Sequence, residues 1–232
     1  MNYPAPLIKA KLIKRDNRFC ARVLLEDKEV KVHVPNSGRM NELMIEGSTV
    51  YIAPAPPGKP DRKTDFTMIL ATQEDTLVCI HSVKANDLFE EALKNGTVSD
   101  FSGYTVSARE KTVGKSRFDF ILTNPEGKKV FTEVKSVSLV EERKALFPDA
   151  PTERGVKHLR ELIRLSEDGF ETAVVFIIQR EDADTFSPHD IQHPEFGSTL
   201  REAVAASVKT AAYRCEIGLN EIKVLARVPV VL

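Results

Sequence analysis

Asp119, Glu133 and Lys135 have the residue types and the spacing for metal-assisted chemistry. Glu133 and Lys135 are two positions apart in a predicted strand, so the period of two places them on one face. Asp119 lies on the preceding predicted strand, across a Pro-Glu-Gly turn that favours a hairpin. Two converging carboxylates repel unless a cation lies between them. Mg²⁺ or Mn²⁺, bound by Asp119 and Glu133, is the expected cation because hard metals prefer oxygen ligands. Lys135 is expected to position water or to stabilise developing phosphate charge.

Apolar alternation predicts how Asp119 is oriented. Phe118, Phe120 and Leu122 are expected to share one face of the strand 117–123, with Asp119 on the opposite face. A surface hairpin with a cross-strand ion pair is the alternative interpretation of the same residues, and it implies no chemistry.

The elements around these residues predict an α/β (α+β) domain over residues 85–232. Apolar periodicity and glycine stops give, in order, a helix at 86–94, strands at 104–109, 117–123 and 129–136, a helix at 153–167 and a strand at 173–178. This order is αβββαβ. A helix near 198–212 and a strand at 222–228 are expected to cover or extend the sheet.

Residues 1–84 predict a separate β domain. Five strands are expected, at 18–25, 29–34, 49–52, 66–71 and 77–80. Five short strands without a long helix indicate a small barrel, and the OB-fold is the one most often used on nucleic acids. An SH3-like barrel would give nearly the same pattern.

Bulk composition indicates an ordinary soluble globular protein. The chain has 232 residues, 42% hydrophobic and 29% charged, with a net charge of −1. The longest apolar run, 173–178, is too short to span a bilayer, and no secretory signal is evident. Three isolated cysteines fit reduced thiols, so a cytoplasmic protein that does not bind membranes is expected.

Motifs along nearly the whole chain resemble a known family. The Asp119, Glu133 and Lys135 pattern resembles the PD-(D/E)XK nuclease superfamily, with Phe118 where that label has a proline. More widely, the chain resembles the prokaryotic sugar fermentation stimulation protein A family. The matching segments are HVPNSGRM (33–40), RKT (62–64), AN (85–86), EAL (91–93), GKSRFD (114–119), EVKS (133–136), FPD (147–149), RGVKHL (154–159) and QR (179–180). Val34 and Ser37 depart from the family, which more often has cysteine and threonine there.

The resemblance implies DNA binding, a regulatory link to sugar (maltose) use, and a nuclease-like fold. Glu91 occupies the family's E-A-L position, which implies one more carboxylate at the catalytic site. Plain solvation on an exposed helix face is the alternative for Glu91.

Several polar and basic residues are candidates for phosphate contacts. They are Asn36, Ser37 and Arg39 in a turn of the first domain, Arg62 and Lys63 in the same domain, and Arg117, Arg154, Lys157 and Arg180 in the second. Turn formation also explains Asn36, and Arg180 has Asp182 nearby as an alternative ion-pair partner. His189 and His193 are four apart, but flanking prolines disfavour a helix, so no zinc site is predicted.

Two functions remain open from the sequence. One is a divalent-metal-dependent deoxyribonuclease of the PD-(D/E)XK type, and the other is a DNA-binding regulator that keeps the fold without cleaving. No residues support a third class, a metabolite-binding protein. Monomer and homodimer are both compatible with the sequence, and so is any form of DNA.

Overall fold

The computed structural model describes residues 1–55, 64–113 and 116–232. The first sheet contains β1 (Ile8–Asn17), β2 (Cys20–Leu25), β3 (Lys28–His33), β4 (Thr49–Pro54), β5 (Phe66–Gln73) and β6 (Thr76–Cys79). These strands run in the order β3-β2-β1-β4-β5-β6. A parallel pairing of β3 with β5 closes the first five into a barrel, so the predicted OB-like five-stranded barrel is confirmed.

The strands that form this barrel differ from those expected. Strand β1 was not expected, whereas β6, expected as a barrel strand, extends the sheet beyond the closure. The apolar signal of β1 is short because Ala10 and Leu12 are buried while Lys9 and Lys11 between and beside them are exposed.

The second part of the chain forms a mixed sheet with helices on both faces. Its elements are α1 (Lys84–Lys94), a 3₁₀ turn (Ser99–Phe101), β7 (Thr105–Val113), β8 (Ser116–Thr123), β9 (Lys129–Val137), β10 (Leu139–Glu141), β11 (Lys144–Phe147), α2 (Glu153–Glu167), β12 (Glu171–Ile178), β13 (Thr185–Pro188), α3 (Pro194–Ala205), β14 (Lys209–Ile217) and β15 (Ile222–Val228). The large sheet has the order β15-β14-β12-β9-β8-β7, with β9, β12 and β14 parallel. The order α1-β7-β8-β9-α2-β12 confirms the predicted αβββαβ arrangement. A small sheet, β10-β11-β13, was not predicted.

Three apolar clusters hold these layers together. One fills the barrel interior, and one lies between the large sheet and helices α2 and α3. The third lies under α1 and joins the large sheet to barrel residues, including Ile69, Leu70 and Cys79. The barrel and the sheet therefore share this third apolar cluster.

Strand β8 does not alternate as expected. Phe120 and Leu122 pack in the core under α1, but Phe118 packs in the cluster beneath α2, with its ring centroid 5.7 Å from that of Phe131. Pairing of β8 with β9 ends at Phe120, so from Asp119 onward toward Phe118 only β7 still holds the strand. The expectation of a single face for the three apolar residues is wrong.

The helix expected at 198–212 is also wrong in its bounds. Helix α3 ends at Ala205, Ser207 has a φ of +67°, and β14 begins at Lys209. Ala211 and Ala212 favour helices locally, but they lie in a strand buried inside the sheet. Among the described residues, no helix is long and apolar enough to cross a membrane.

Candidate active site

A cavity of about 610 Å³ lies between the barrel and the large sheet. Seven residues expected from the sequence to form a site line this cavity: Asp119, Glu133, Lys135, Asn36, Ser37, Arg39 and Arg154. The sheet contributes the carboxylates and the lysine. The barrel and the start of α2 contribute the remaining polar and cationic groups.

Glu133 is buried, and its two oxygens have different surroundings. Oε1 accepts a hydrogen bond from Lys135 Nζ at 2.6 Å and contacts Nδ1 of His158. Oε2 is buried without a hydrogen-bond partner among the described residues. Burial works against ionisation, but the charge of Lys135 and the hydrogen bonds from His158 and Lys135 outweigh it and hold the pKa of Glu133 below its usual value. Glu133 is therefore a carboxylate at neutral pH with one oxygen available.

His158 connects Glu133 to Arg154. Arg154 Nε donates to His158 Nε2 at 3.3 Å. Because a guanidinium has no acceptor, Nε2 must accept and Nδ1 carries the proton that is donated to Glu133. His158 was not among the expected site residues. Its signal in the sequence is its position four residues after Arg154, which places both on one side of α2.

Asp119 lies where the ladder between β8 and β9 has ended. Its Oδ2 accepts from the backbone N–H of Val134 at 2.8 Å, and its Oδ1 accepts from Asn86 Nδ2 at 3.0 Å. Burial, and then the charge of Glu133, raise the pKa of Asp119. The two carboxylates therefore interact electrostatically, which is the condition that favours a cation between them.

These residues fit a hard divalent metal. Glu133 Oε2 is a buried anionic oxygen with no hydrogen-bond partner in the described part of the chain, and Asp119 supplies a second carboxylate at the same cavity. Mg²⁺ and Mn²⁺ accept such oxygen donors. Asp119 and Glu133 are thus the residues able to hold the ion.

The barrel side of the cavity is shaped by Arg15. Its guanidinium donates to the carbonyls of Arg18, Asn36, Gly38 and Arg39, at 2.8 Å to Arg18 and to Gly38. The Asn36 side chain accepts from Gly38 N at 2.8 Å and donates to the Ile80 carbonyl at 3.0 Å. Asn36 therefore forms the turn rather than offering a free amide to a ligand.

Gly38 and Asp149 are in close contact at the same turn. A Cβ at Gly38 would overlap the Asp149 carboxylate. Backbone N–H groups of Met40 and Arg39 bond this carboxylate, although burial dominates and raises its pKa. The turn thereby fixes the direction in which Arg39 leaves the barrel.

Three expected residues, Glu91, Arg117 and Lys157, lie outside this cavity. Glu91 bonds the amino group of Met1 at 2.7 Å, and Asn86, on another side of α1, is the residue that reaches Asp119. Arg117 pairs with Glu110 at 2.9 Å, and Lys157 is exposed on α2 outside the cavity lining. Arg62 and Lys63 lie outside the described residues.

Arg180 was expected to contact phosphate, and the structure contradicts this expectation. The side chain is 2% exposed, and its Nε and Nη2 donate to Asp182 at 2.6 Å each. Nη1 donates to Gln73 and to the Ser138 carbonyl, at 2.9 Å in each case. A buried and fully bonded guanidinium cannot reach a ligand, so Arg180 is structural.

Glu153, His193 and Glu195 form a second group of metal-ligand types, with ligand atoms within 4.8 Å of one another. His193 Nδ1 accepts from the Thr152 N–H at 3.4 Å, so the neutral ring carries its proton on Nε2, facing Glu153 at 3.6 Å. Glu195 already accepts from Arg160 at 2.7 Å. These contacts account for the group, and His193 has no lone pair left for a metal.

A closed barrel followed by a PD-(D/E)XK-like αβββαβ sheet, with two carboxylates and a lysine at their shared cavity, defines the class of protein. Family models for the SfsA N-terminal OB domain and the sugar fermentation stimulation protein RE domain match residues 13–80 and 83–221. The chain belongs to the SfsA family of sugar fermentation stimulation proteins.

Relatives support this assignment along the whole chain. The sugar fermentation stimulation protein homolog of Caldanaerobacter subterraneus subsp. tengcongensis is 45% identical over 228 residues, covering 98% of each chain. The homolog from Desulforamulus reducens is 44% identical over 226 residues, covering 97% of this chain and 93% of its own. The structure of Pyrococcus furiosus SfsA in complex with Ca²⁺ has a TM-score of 0.91 and 29% identity, covering 100% of this chain and 98% of that one.

Proposed function

We propose that this protein is a divalent-metal-dependent nuclease that hydrolyses phosphodiesters of DNA. The observation that carries the proposal is the buried, unpartnered Oε2 of Glu133 beside the Asp119 carboxylate and the Lys135 ammonium. The related P. furiosus protein is described in complex with Ca²⁺, a hard cation of the same class. In this chain Asp119 and Glu133 would hold Mg²⁺ or Mn²⁺.

The remaining cavity residues have distinct roles in this proposal. A bound divalent ion supplies Lewis-acid polarisation of the phosphodiester. Lys135 fixes Glu133 through Oε1 and extends positive charge toward the reacting phosphate, where charge develops in the transition state. His158 holds Glu133 from the opposite element, α2. Arg39 and Arg154 line the cavity and bind flanking phosphates.

A DNA-binding regulator without cleavage is the second candidate. The observation in its favour is that Asp119 is bonded by Asn86 and Val134, and Glu133 Oε1 by Lys135 and His158, within the protein itself. Such a site is stable without a metal. The family's name connects either candidate with sugar fermentation, and we include a regulatory role in sugar (maltose) use in the proposal.

Cleavage assays separate these candidates. Single-stranded, duplex and branched DNA are incubated with Mg²⁺, Mn²⁺ or chelator, using the wild type, Glu133→Gln and the control Glu202→Gln, which changes an exposed glutamate on α3. We expect metal-dependent cleavage by the wild type and the control but not by Glu133→Gln. Calorimetry should show Mn²⁺ binding that Glu133→Gln loses. DNA binding without cleavage of any substrate would overturn the nuclease and favour the regulator.

A further inference from the structure

A second cavity, of about 500 Å³, adjoins the first along the barrel. The two share Arg18, Ser37, Gly38, Arg39 and Ala150 as lining residues. From these the second cavity continues along β1 and the turn into β2, so the candidate active site opens onto a groove across the barrel.

This groove is basic. Lys14, Arg15, Arg18 and Arg39 line it, and Glu46 is the one carboxylate among its described lining residues. The Arg15 guanidinium donates its hydrogen bonds to backbone carbonyls on both neighbouring turns. The side chains of Arg18 and Arg39 have no hydrogen-bond or ion-pair partner within the described parts of the chain. Arg15 thus fixes two turns whose own guanidinium groups remain available for a ligand.

Phe19 follows Arg18 on the same turn and is 54% exposed. Its backbone is held firmly, because its N–H bonds Asn17 Oδ1 at 2.9 Å and its carbonyl accepts from Val34 N–H at 2.9 Å. Most phenylalanines of the chain are buried in the cores. Phe19 thus keeps an aromatic ring in solvent on a fixed turn, next in the chain to Arg18, which lines both cavities. Single-stranded nucleic acids bind to such a combination, with unstacked bases on a ring and phosphates on cations.

We propose that the β1–β2 turn is a binding subsite for single-stranded DNA, in which Phe19 stacks on a base and Arg18 contacts a phosphate. The strand enters the candidate active site by way of Arg39, and the groove holds the part that extends beyond the reacting phosphodiester. This subsite deepens the proposed nuclease function and rests on it. A continuous duplex offers no unstacked base and gains nothing from Phe19.

Binding of oligothymidylates tests the subsite. Fluorescence anisotropy is measured in Ca²⁺ for lengths from about two to about sixteen nucleotides, which spans common OB-fold site sizes. We compare the wild type with Phe19→Ala, Arg18→Gln and the control Lys31→Gln, which removes one exposed charge from β3 outside both cavities. Melting temperatures confirm that each variant is folded.

We expect wild-type affinity to rise with length until the groove is filled. Phe19→Ala should weaken binding of the longer strands about tenfold, with the shortest strands and blunt duplex bound as by the wild type. Arg18→Gln should reduce the salt slope for longer strands by ~0.7. Lys31→Gln should resemble the wild type.

Two results would overturn the subsite alone. One is that Phe19→Ala and Arg18→Gln both keep the wild-type dependence of affinity on strand length. The other is that Lys31→Gln loses as much affinity as these two variants. Absence of binding by the wild type at every length would instead remove the proposed function together with the subsite. The two failures are therefore distinguishable.

Discussion

The two sides of the cavity hold their charges in different ways. On the sheet side, Glu133, Lys135 and His158 bond one another, and Asp119 is bonded by its neighbours. On the barrel side, Arg15 is bonded to backbone carbonyls, while Arg18 and Arg39 keep free guanidinium groups among the described residues. Internal pairing fixes the positions of charged groups before a ligand arrives, and unpaired cations retain their capacity for phosphate. Under the proposed function, the sheet side would carry the chemistry and the barrel side would hold the substrate.

The largest expected effect is on the sheet side. Lys135→Ala should lower kcat about 10²–10³-fold, as for other preorganised groups that stabilise transition-state charge. Affinity for DNA should stay close to that of the wild type, because the free cations lie elsewhere. Lys129→Ala, at the exposed start of the same strand, is the matched control. Unchanged cleavage by Lys135→Ala would contradict the assignment of the chemistry to the sheet side.

Arg180 offers a contrast with Arg39, since it is a cation fully used by the fold. Asp182→Asn leaves this guanidinium buried without its main counter-ion and should cost about 3 kcal/mol of unfolding free energy. Burial opposes ionisation of Asp182, but Arg180 outweighs it and holds the pKa of the carboxyl below its usual value. The stabilisation is therefore complete above the unfolded value near pH 4 and is lost as pH falls through the lower folded pKa.

Urea unfolding at pH 7, 5 and 3 measures this effect. The difference between the wild type and Asp182→Asn should be similar at pH 7 and 5 and smaller at pH 3. The salt slope of DNA binding should not change. A steeper slope would mean that Arg180, released from Asp182, contacts phosphate after all.

Gly38→Ala tests how firmly the turn on the barrel side is positioned. The new methyl group overlaps the Asp149 carboxylate, so a destabilisation of about 1–3 kcal/mol is expected from overpacking. Gly38→Ala should lower the free energy of unfolding by less in an Asp149→Ala background, because the overlap is gone there. Additive costs in this double-mutant cycle would show that the two residues do not compete for space.

Arg39→Gln should have the smallest effect and only on binding. Loss of one phosphate contact reduces the salt slope by ~0.7–0.9. The free energy of unfolding should change by less than about 0.5 kcal/mol, because the side chain is exposed and has no partner among the residues that the structure describes. Salt titrations beside Lys31→Gln provide the comparison. An equal slope for Arg39→Gln and the wild type would remove Arg39 from the binding surface.

Local sequence patterns predicted most of the fold because its main signals are local. Helix α2 has regular apolar spacing and a Thr152 cap that accepts from the Gly155 N–H, and its predicted bounds agree with the structure. Strand β14 was missed because its burial depends on neighbouring strands, and its alanines carry no strand signal. Phe118 and Phe120 pack in different clusters where the pairing of β8 with β9 ends, which alternation within one strand cannot reveal.

For the site, the spacing of residues predicted which residue types come together, but it did not predict which groups they bond. The period of two places Glu133 and Lys135 together, and both contact His158. Arg180 and Arg39 are both arginines near turns, and only the tertiary structure shows that one is buried on Asp182 and the other free. Glu91 and Asn86 lie on the same helix, but which of them reaches Asp119 depends on how α1 rotates against the sheet.

The shared core under α1 has a consequence for synthesis on the ribosome. Gln179 Nε2 bonds the carbonyl of Cys79, a residue 100 positions earlier. At ~5–20 residues per second, the barrel emerges ~5–20 s before β12 is complete. During that interval Ile69, Leu70 and Cys79 lack part of the apolar surface that later covers them. The nascent barrel therefore presents a transient hydrophobic face, where we expect chaperones to bind until the sheet is made.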